Sequence, residues 1–219
     1  GELFDSAKTP DIVVVAVPPH AVPDVAARSL AFYPDATVTD VASVKAAPLA
    51  RLRGLTNDTA RFVGGHPMAG REVSGPGGAR ADLFEDRLWV ITGNAGAEPR
   101  RVDDVRWLAK QCGSLIVELD AAEHDRAVAL TSHTPQILAS VLAAQLVSAD
   151  PSDVAVSGQG LRDATRLADS GPDLWSQIIA SNAPEIIAVL DKIGVDLAEI
   201  REALAEVSVV PEAELTDAI

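Results

Sequence analysis

The sequence predicts an α/β domain built on a parallel sheet and followed by an all-helical domain. Three observations carry that expectation. Asp11-Ile12-Val13-Val14-Val15-Ala16-Val17 is a continuous, largely β-branched run stopped by Pro18-Pro19, and a run without polar alternation reads as a strand buried on both faces, as in a parallel sheet. Four further strand-like runs, separated by helical or turn-rich stretches, follow before Leu119, which is the rhythm of βαβ units. After Asp120 no strand pattern is convincing and helix formers dominate.

Taken in order, a helix from about Pro23 to Phe32 follows the first strand, and Ala36–Val41 forms the second. A short helix begins after Lys45. Ala60–Val63 is a third strand, leading into a turn made of paired glycines and a histidine. Leu88–Thr92 is the fourth. Glu98–Gln111 has the spacing of an amphipathic helix ending at Gly113, since glycine accepts the left-handed conformation common just beyond a helix. Ser114–Leu119 is the fifth strand. Ala121–Ser148 is helix-forming, with Pro135 expected to kink or break it, because proline lacks an amide hydrogen and clashes with the preceding turn. Asn182–Ile193 and Leu197–Val207 read as further helices, with Gly194 as the break between them. The boundary between the two parts falls near Leu119–Ala122.

Composition narrows the partners. A formal net charge of −14 argues against nucleic acid, whose phosphates need clustered Lys and Arg, although a few arginines can still dominate a pocket for an anionic metabolite. Cys112 is the only cysteine, so no intrachain disulfide forms, which fits a reducing compartment. No uninterrupted apolar segment approaches the roughly 18 residues of a membrane span, and no charged-then-apolar leader is present. The expectation is a soluble, cytoplasmic protein that binds neither nucleic acid nor membrane.

The stretch Phe62–Gly75, FVGGHPMAGREVSG, carries the strongest chemical signal. Glycine lets a backbone turn or approach a ligand closely, proline stiffens it, and a histidine so held is suited to proton transfer near neutral pH. A turn histidine capping a carbonyl is the structural alternative. Ser43, in the Asp40–Lys45 stretch at the end of the second strand, lies where ligands collect in open α/β sheets; it is equally an N-cap for the next helix. His124-Asp125-Arg126 at a helix start reads as caps and surface pairs. His133, just before Pro135, is either a satisfied core histidine or a binding group. Arg166 and Trp175 could clamp a carboxylate or form an interhelical ion pair with a core tryptophan. No His/Cys/Asp cluster has metal-ligand spacing, G-x-S-x-G is absent, and so is the G-x-G-x-x-G of a dinucleotide-binding βαβ unit.

Together the segments DIVVVAVPP (11–19), TDVASVK (39–45), FVGGHPMAGREVSG (62–75), EHDRAVALTSHTP (123–135) and LRDATRLADSGPDLW (161–175) resemble the prephenate/arogenate dehydrogenase family of tyrosine biosynthesis, in matching order along nearly the whole chain. The resemblance implies a partial Rossmann-like sheet, its N-terminal βαβ portion absent, as an incomplete nucleotide-binding domain over residues 1–120. It implies a helical substrate-binding and dimerisation domain over 121–219, and a homodimer. It further implies NAD- or NADP-dependent oxidative decarboxylation of prephenate to 4-hydroxyphenylpyruvate, with arogenate as the alternative substrate; a non-catalytic dimeric remnant lacking the cofactor cradle is a third reading. The catalytic histidine falls on His66. Ser43 would orient that imidazole and touch the cofactor, which Val17, Pro18 and Pro19 would border. Arg166 would bind the substrate carboxylate, with His133, Trp175 and Glu72 in the same pocket. Gln136 stands where the family usually has histidine, so that substrate contact differs. No metal is implied.

Overall fold

The computed structural model describes residues 9–70, 76–93 and 96–207. Its sheet has five strands in sequential order: β1 (Ile12–Val15), β2 (Thr37–Asp40), β3 (Phe62–Pro67), β4 (Leu88–Thr92) and β5 (Leu115–Glu118). β1, β2 and β3 run parallel, as do β4 and β5, while β4 runs antiparallel to β3. The expectation of a parallel sheet therefore holds in the main, with one reversal. A parallel return requires a crossover, usually a helix, and the described residues between β3 and β4 hold only short turns, including a 3-10 turn at Pro76–Gly78.

Helices cover both faces of the sheet. α1 (Val22–Phe32) and α2 (Ala46–Leu55) pack Val22, Ala26, Leu30, Leu49 and Leu52 against Val15, Val38 and Phe62. α3 (Pro99–Gln111) brings Val105 and Ala109 to Val63, Trp89 and Ile91 on the other face. Phe62 and Val63 serve opposite layers because successive strand side chains alternate in direction. α3 ends as expected, at Gly113 with φ of +73°. Arg61 closes the end of α1: its buried guanidinium donates to the carbonyls of Leu30, Tyr33 and Ala36.

The glycine pair is not a turn. β3 continues through Gly64, Gly65 and His66 to Pro67, paired with Thr92, Ile91, Val90 and Trp89 of β4. Gly64 and Gly65 are required by crowding: a Cβ on Gly65 would lie 2.7 Å from the Asp40 carbonyl, and one on Gly64 only 2.3 Å from Thr92 Oγ1. Glycine here serves close approach of neighbouring chain, one of its two ordinary uses.

The helical part opens with α4 (Ala121–Val128), whose N-terminus is closed by a reciprocal pair, Asp120 Oδ1 accepting from the Glu123 amide at 2.7 Å and Glu123 Oε2 from the Asp120 amide at 3.0 Å. Pro135 does not break the helix. A π-helical turn, Ala129–His133, leads directly into α5 (Thr134–Val147), so the wider turn accommodates the missing amide without ending the run. Short helices α6 (Pro151–Ala155), α7 (Gln159–Thr165) and α8 (Pro172–Ser181) follow, then the long α9 (Ala183–Val207). Gly194 sits inside α9 rather than between two helices, because one exposed glycine costs only about 1 kcal/mol of helix propensity, too little to divide a 25-residue helix.

One helical run, Ala121–Val147, is long and apolar enough to cross a membrane by length and composition, although its apolar residues are not uninterrupted. Thr131, Ser132, His133 and Gln136 are interspersed among them. The run nonetheless buries His124, Asp125, His133 and Gln136 against protein. Its outer side exposes Leu130, Leu138, Val141, Leu142 and Val147, and α9 exposes Val195, Leu197, Ile200, Leu204 and Val207. Apolar exposure on that scale marks an interaction surface.

Candidate active site

The site forms where the carboxyl ends of β1, β2 and β3 meet the helices that follow residue 120. Asp40 ends β2, and its carboxylate accepts from the amides of Ala42 and Gly65, each at 3.1 Å. Lys45, fully buried, pairs with the same carboxylate and donates to the Gly65 carbonyl at 2.6 Å. β2 and β3 pair only as far as Thr39 and Val63, so beyond that point two side chains replace the strand ladder and grip both sides of the Gly65 peptide. Burial pulls the Lys45 ammonium below its ordinary range, and the neighbouring Asp40 carboxylate opposes that pull.

His66 follows directly on this clamp and is 8% exposed. Its pKa is driven well below the ordinary imidazole value, first by burial and then by the Lys45 ammonium, with further like-charge coupling to the His124 and His133 rings as they protonate, so it is a neutral base at physiological pH. Its ring is held by His124, whose Nε2 lies 2.8 Å from His66 Nδ1; Ser43 lines the same cavity rather than providing that bond. The cavity, of about 510 Å³, is walled by Ser43, His66, Met68, Phe84, Ser132 and Trp175 among others, the mixture of apolar walls and sparse polar groups expected of a small-molecule site.

Behind it lies His133, 1% exposed, with its ring 6.0 Å edge-on from Trp175. Asn182 Nδ2 donates to the Asp125 carbonyl at 2.7 Å and to His133 Nδ1 at 3.0 Å. An Nδ1 that accepts leaves the ring proton on Nε2, which is buried and faces the backbone of Ser43 without making a well-formed hydrogen bond. Thr134 Oγ1 and Gln136 Oε1 are also buried without a well-formed hydrogen bond, so the buried polar atoms in that state among the described residues gather largely in this one turn. Groups of this kind are costly unless a ligand or water meets them. Burial pushes the His133 imidazole down to about 4, so it is a neutral donor.

The remaining expected residues are placed as follows. Gln136 spends its amide on the Leu167 carbonyl at 2.8 Å, which ties α5 to the 3-10 turn Arg166–Asp169. Arg166 begins that turn, exposed to solvent and outside the wall of the His66 cavity. Val17 and Pro18 leave β1 at the same carboxyl edge, and Pro19 opens the 3-10 turn before α1. Glu72 lies outside the described residues. By sequence the Asp40–Lys45 stretch reads as a strand end where ligands collect and His124-Asp125 as caps and surface pairs, but none of Asp40, Lys45, His124 and Asp125 is given a role of its own, and Asn182 is not singled out. The available signals were a buried-looking strand ending in Asp with Lys five residues on, and a His-Asp pair just inside a capping box.

Pro18 and Pro19 have no amide hydrogens, so this end of β1 offers no backbone cradle for phosphate there; Pro19 is buried, and Pro18 is the exposed residue of the pair. An open, helix-flanked sheet with its chemistry at the carboxyl edge of the strands defines a nucleotide-binding α/β protein, here with a helical layer closing over the edge.

Comparison with known proteins places it within that class. Residues 1–118 match the family model described as prephenate dehydrogenase, nucleotide-binding domain, and residues 120–212 match prephenate dehydrogenase, dimerization domain. The chain belongs to the prephenate dehydrogenase family. It is 37% identical over 215 residues to the Streptomyces niveus protein named probable prephenate dehydrogenase NovF, covering 95% of this chain and 58% of that one. It is 32% identical over 210 residues to a Zymomonas mobilis cyclohexadienyl dehydrogenase, covering 93% and 71%. Its fold superposes with a TM-score of 0.82 and 27% identity on a prephenate dehydrogenase from A. aeolicus solved with hydroxyphenyl propionate and NAD+, over 96% of this chain and 73% of the other. The chain thus spans little more than half the length of NovF.

Proposed function

We propose that this chain carries the substrate and proton-transfer machinery of a prephenate dehydrogenase, which converts prephenate to 4-hydroxyphenylpyruvate, CO2 and reduced nicotinamide. The observation that carries the reading is His66: a buried, neutral imidazole with one nitrogen tied to protein, on the wall of a cavity that Ser43 and Trp175 also line. A bound NAD or NADP supplies the hydride acceptor. Val17, Pro18, Pro19 and Ser43 are the residues on the sheet edge that would border it.

The residues of this chain then have distinct roles. His66 accepts the proton of the ring hydroxyl as the carbon bearing it loses hydride. Loss of the ring carboxylate as CO2 leaves its bonding electrons in the ring, which becomes aromatic, and the phenolate oxygen takes a proton back. His133 Nε2–H meets a substrate oxygen, and Trp175 packs against the ring. Arg166 anchors a carboxylate, with Gln136 holding its turn through Leu167. A neutral base is the required state, and the burial around His66 provides it. Two copies associate through the exposed apolar faces of α5 and α9, consistent with the dimerization-domain match. Residues 1–120 and 121–219 are the corresponding functional units, and metabolism of this kind places the protein in the cytoplasm.

The test is turnover of prephenate, and separately of arogenate, by purified protein with NAD or NADP, read as reduced nicotinamide absorbance. His66→Asn should lower kcat by about 10²–10⁴, the usual worth of a positioned base, with KM little changed. Arg166→Gln should chiefly raise KM. Full kcat in His66→Asn rules the reading out.

A further inference from the structure

His66 is the last member of a buried chain of three side chains. Its Nδ1 lies 2.8 Å from His124 Nε2, and His124 Nδ1 lies 2.7 Å from Asp125 Oδ1. Both carboxylate oxygens of Asp125 also accept backbone amides at the start of α2, Oδ1 from Lys45 and Oδ2 from Ala46, each at 2.8 Å. His124 is fully buried and Asp125 nearly so. Asn182 additionally holds the Asp125 carbonyl, so the α4 end of the chain is fixed on both backbone and side chain.

With both imidazoles neutral, the proton positions follow by elimination. The Asp125 carboxylate can only accept, so the proton between it and His124 belongs to His124 Nδ1. A neutral imidazole carries one proton, which leaves His124 Nε2 an acceptor. The 2.8 Å contact to His66 is then a bond donated by His66 Nδ1–H. His66 Nε2, on the opposite side of its ring, keeps a bare lone pair.

We infer that His124 and Asp125 are positioning residues, which hold His66 in its Nδ1–H tautomer and share the charge when Nε2 takes a proton. The inference rests on the reading of His66 as the proton acceptor. When the substrate O–H bond breaks, its proton bonds to His66 Nε2. The Nδ1 proton of the resulting imidazolium can pass to His124 Nε2, bringing the positive charge one ring closer to the Asp125 carboxylate. It returns when His66 gives its Nε2 proton to the phenolate, so no proton is gained or lost over the cycle. The device answers a difficulty of the site: burial and Lys45 both oppose charge on His66, while a base must carry charge briefly. A hydrogen-bonded outlet toward a carboxylate eases that step.

The chain has four histidines, His20, His66, His124 and His133, so the side-chain nitrogens of 15N-histidine-labelled protein can be assigned by single substitutions. In the wild-type protein near pH 7.5, long-range 1H–15N spectra should show His66 and His124 as Nδ1–H tautomers and His133 as Nε2–H. His124→Phe should abolish the single Nδ1–H form of His66 and lower kcat on the order of 10²-fold, with KM within about threefold. His124→Gln, whose amide can accept from His66 and donate to Asp125, should recover about tenfold of that loss. An Nε2–H tautomer of His66 in the wild type overturns the proposal even where His124→Phe fails to fold. An unchanged tautomer together with unchanged kcat in folded His124→Phe overturns it as well. A wild-type protein with the expected tautomers but no turnover of either substrate removes the proposed reaction while supporting the positioning of His66.

Discussion

Replacing Gly65 and Gly194 by alanine should move stability in opposite directions. The added Cβ at Gly65 would lie 2.7 Å from the Asp40 carbonyl, 3.0 Å from Trp89 Nε1 and 3.2 Å from Thr39 Oγ1, where ordinary contact begins at 3.4 Å. The nearest of these is backbone, fixed by the Asp40–Lys45 clamp and by the β1–β2 ladder, so relief requires β2 and β3 to part by several tenths of an ångström. Overpacking of this kind costs about 2–3 kcal/mol. Against it stands the smaller unfolded-state entropy of alanine, worth about 0.4–1 kcal/mol. The clash wins, and the net loss of about 1.5–2.5 kcal/mol lowers Tm by roughly 4–8 °C in a chain of this size. Gly194 is exposed within α9 and a Cβ there meets nothing within 4 Å. Helix propensity then acts alone, adding about 1 kcal/mol and raising Tm by roughly 2–4 °C. Calorimetry and urea unfolding on the two variants read both signs. A Gly65→Ala protein as stable as the parent would refute the close-packed β2–β3 edge, and a destabilised Gly194→Ala would refute the continuous α9.

Two further expectations concern buried charge. Lys45→Met leaves the Asp40 carboxylate buried with two amides as its partners, and urea unfolding should show a loss of about 3–5 kcal/mol, partly recovered in the Asp40→Asn, Lys45→Met double variant; full stability of the single variant would contradict the clamp. The second is a pH dependence. Folded His133 titrates near 4 and His66 well below 6.5, so between pH 6.5 and about 4 the unfolded chain binds protons that the folded chain refuses. That contribution to stability is present above pH 6.5 and is lost as pH falls, by about 3 kcal/mol for His133. His133→Asn should therefore lose less stability than wild type between pH 7.5 and pH 4.5 in urea titrations; parallel losses would count against a neutral buried imidazole at this position.

Much of the site was legible locally. Phe62–Gly75 marked His66 by its glycines and proline, and His133 and Trp175, flagged on separate segments, do lie side by side. Their partners were not legible. His124-Asp125 read as a surface pair because a helix start explains such residues by itself; its reach to His66 and to the α2 amides spans residues 58 and 80 apart in sequence. Asp40 and Lys45 likewise looked like a strand end and a helix start. Only the parting of β2 from β3 beyond Val63 gives them the Gly65 peptide to hold.

By itself the sequence determined the α/β part and the helical part after Asp120, and it singled out His66, because these depend on short-range properties: β-branched runs, capping residues and backbone freedom at glycine. Tertiary structure decided the antiparallel turn of β4, the continuation of β3 through two glycines, the π turn in place of a break at Pro135, and the uninterrupted α9. It also brought His124 Nε2 to within 2.8 Å of His66 Nδ1. In the sheet, pairing with neighbouring strands overrides the weak local preferences, whereas at the exposed Gly194 the cost of about 1 kcal/mol for one glycine is simply too small to end the helix.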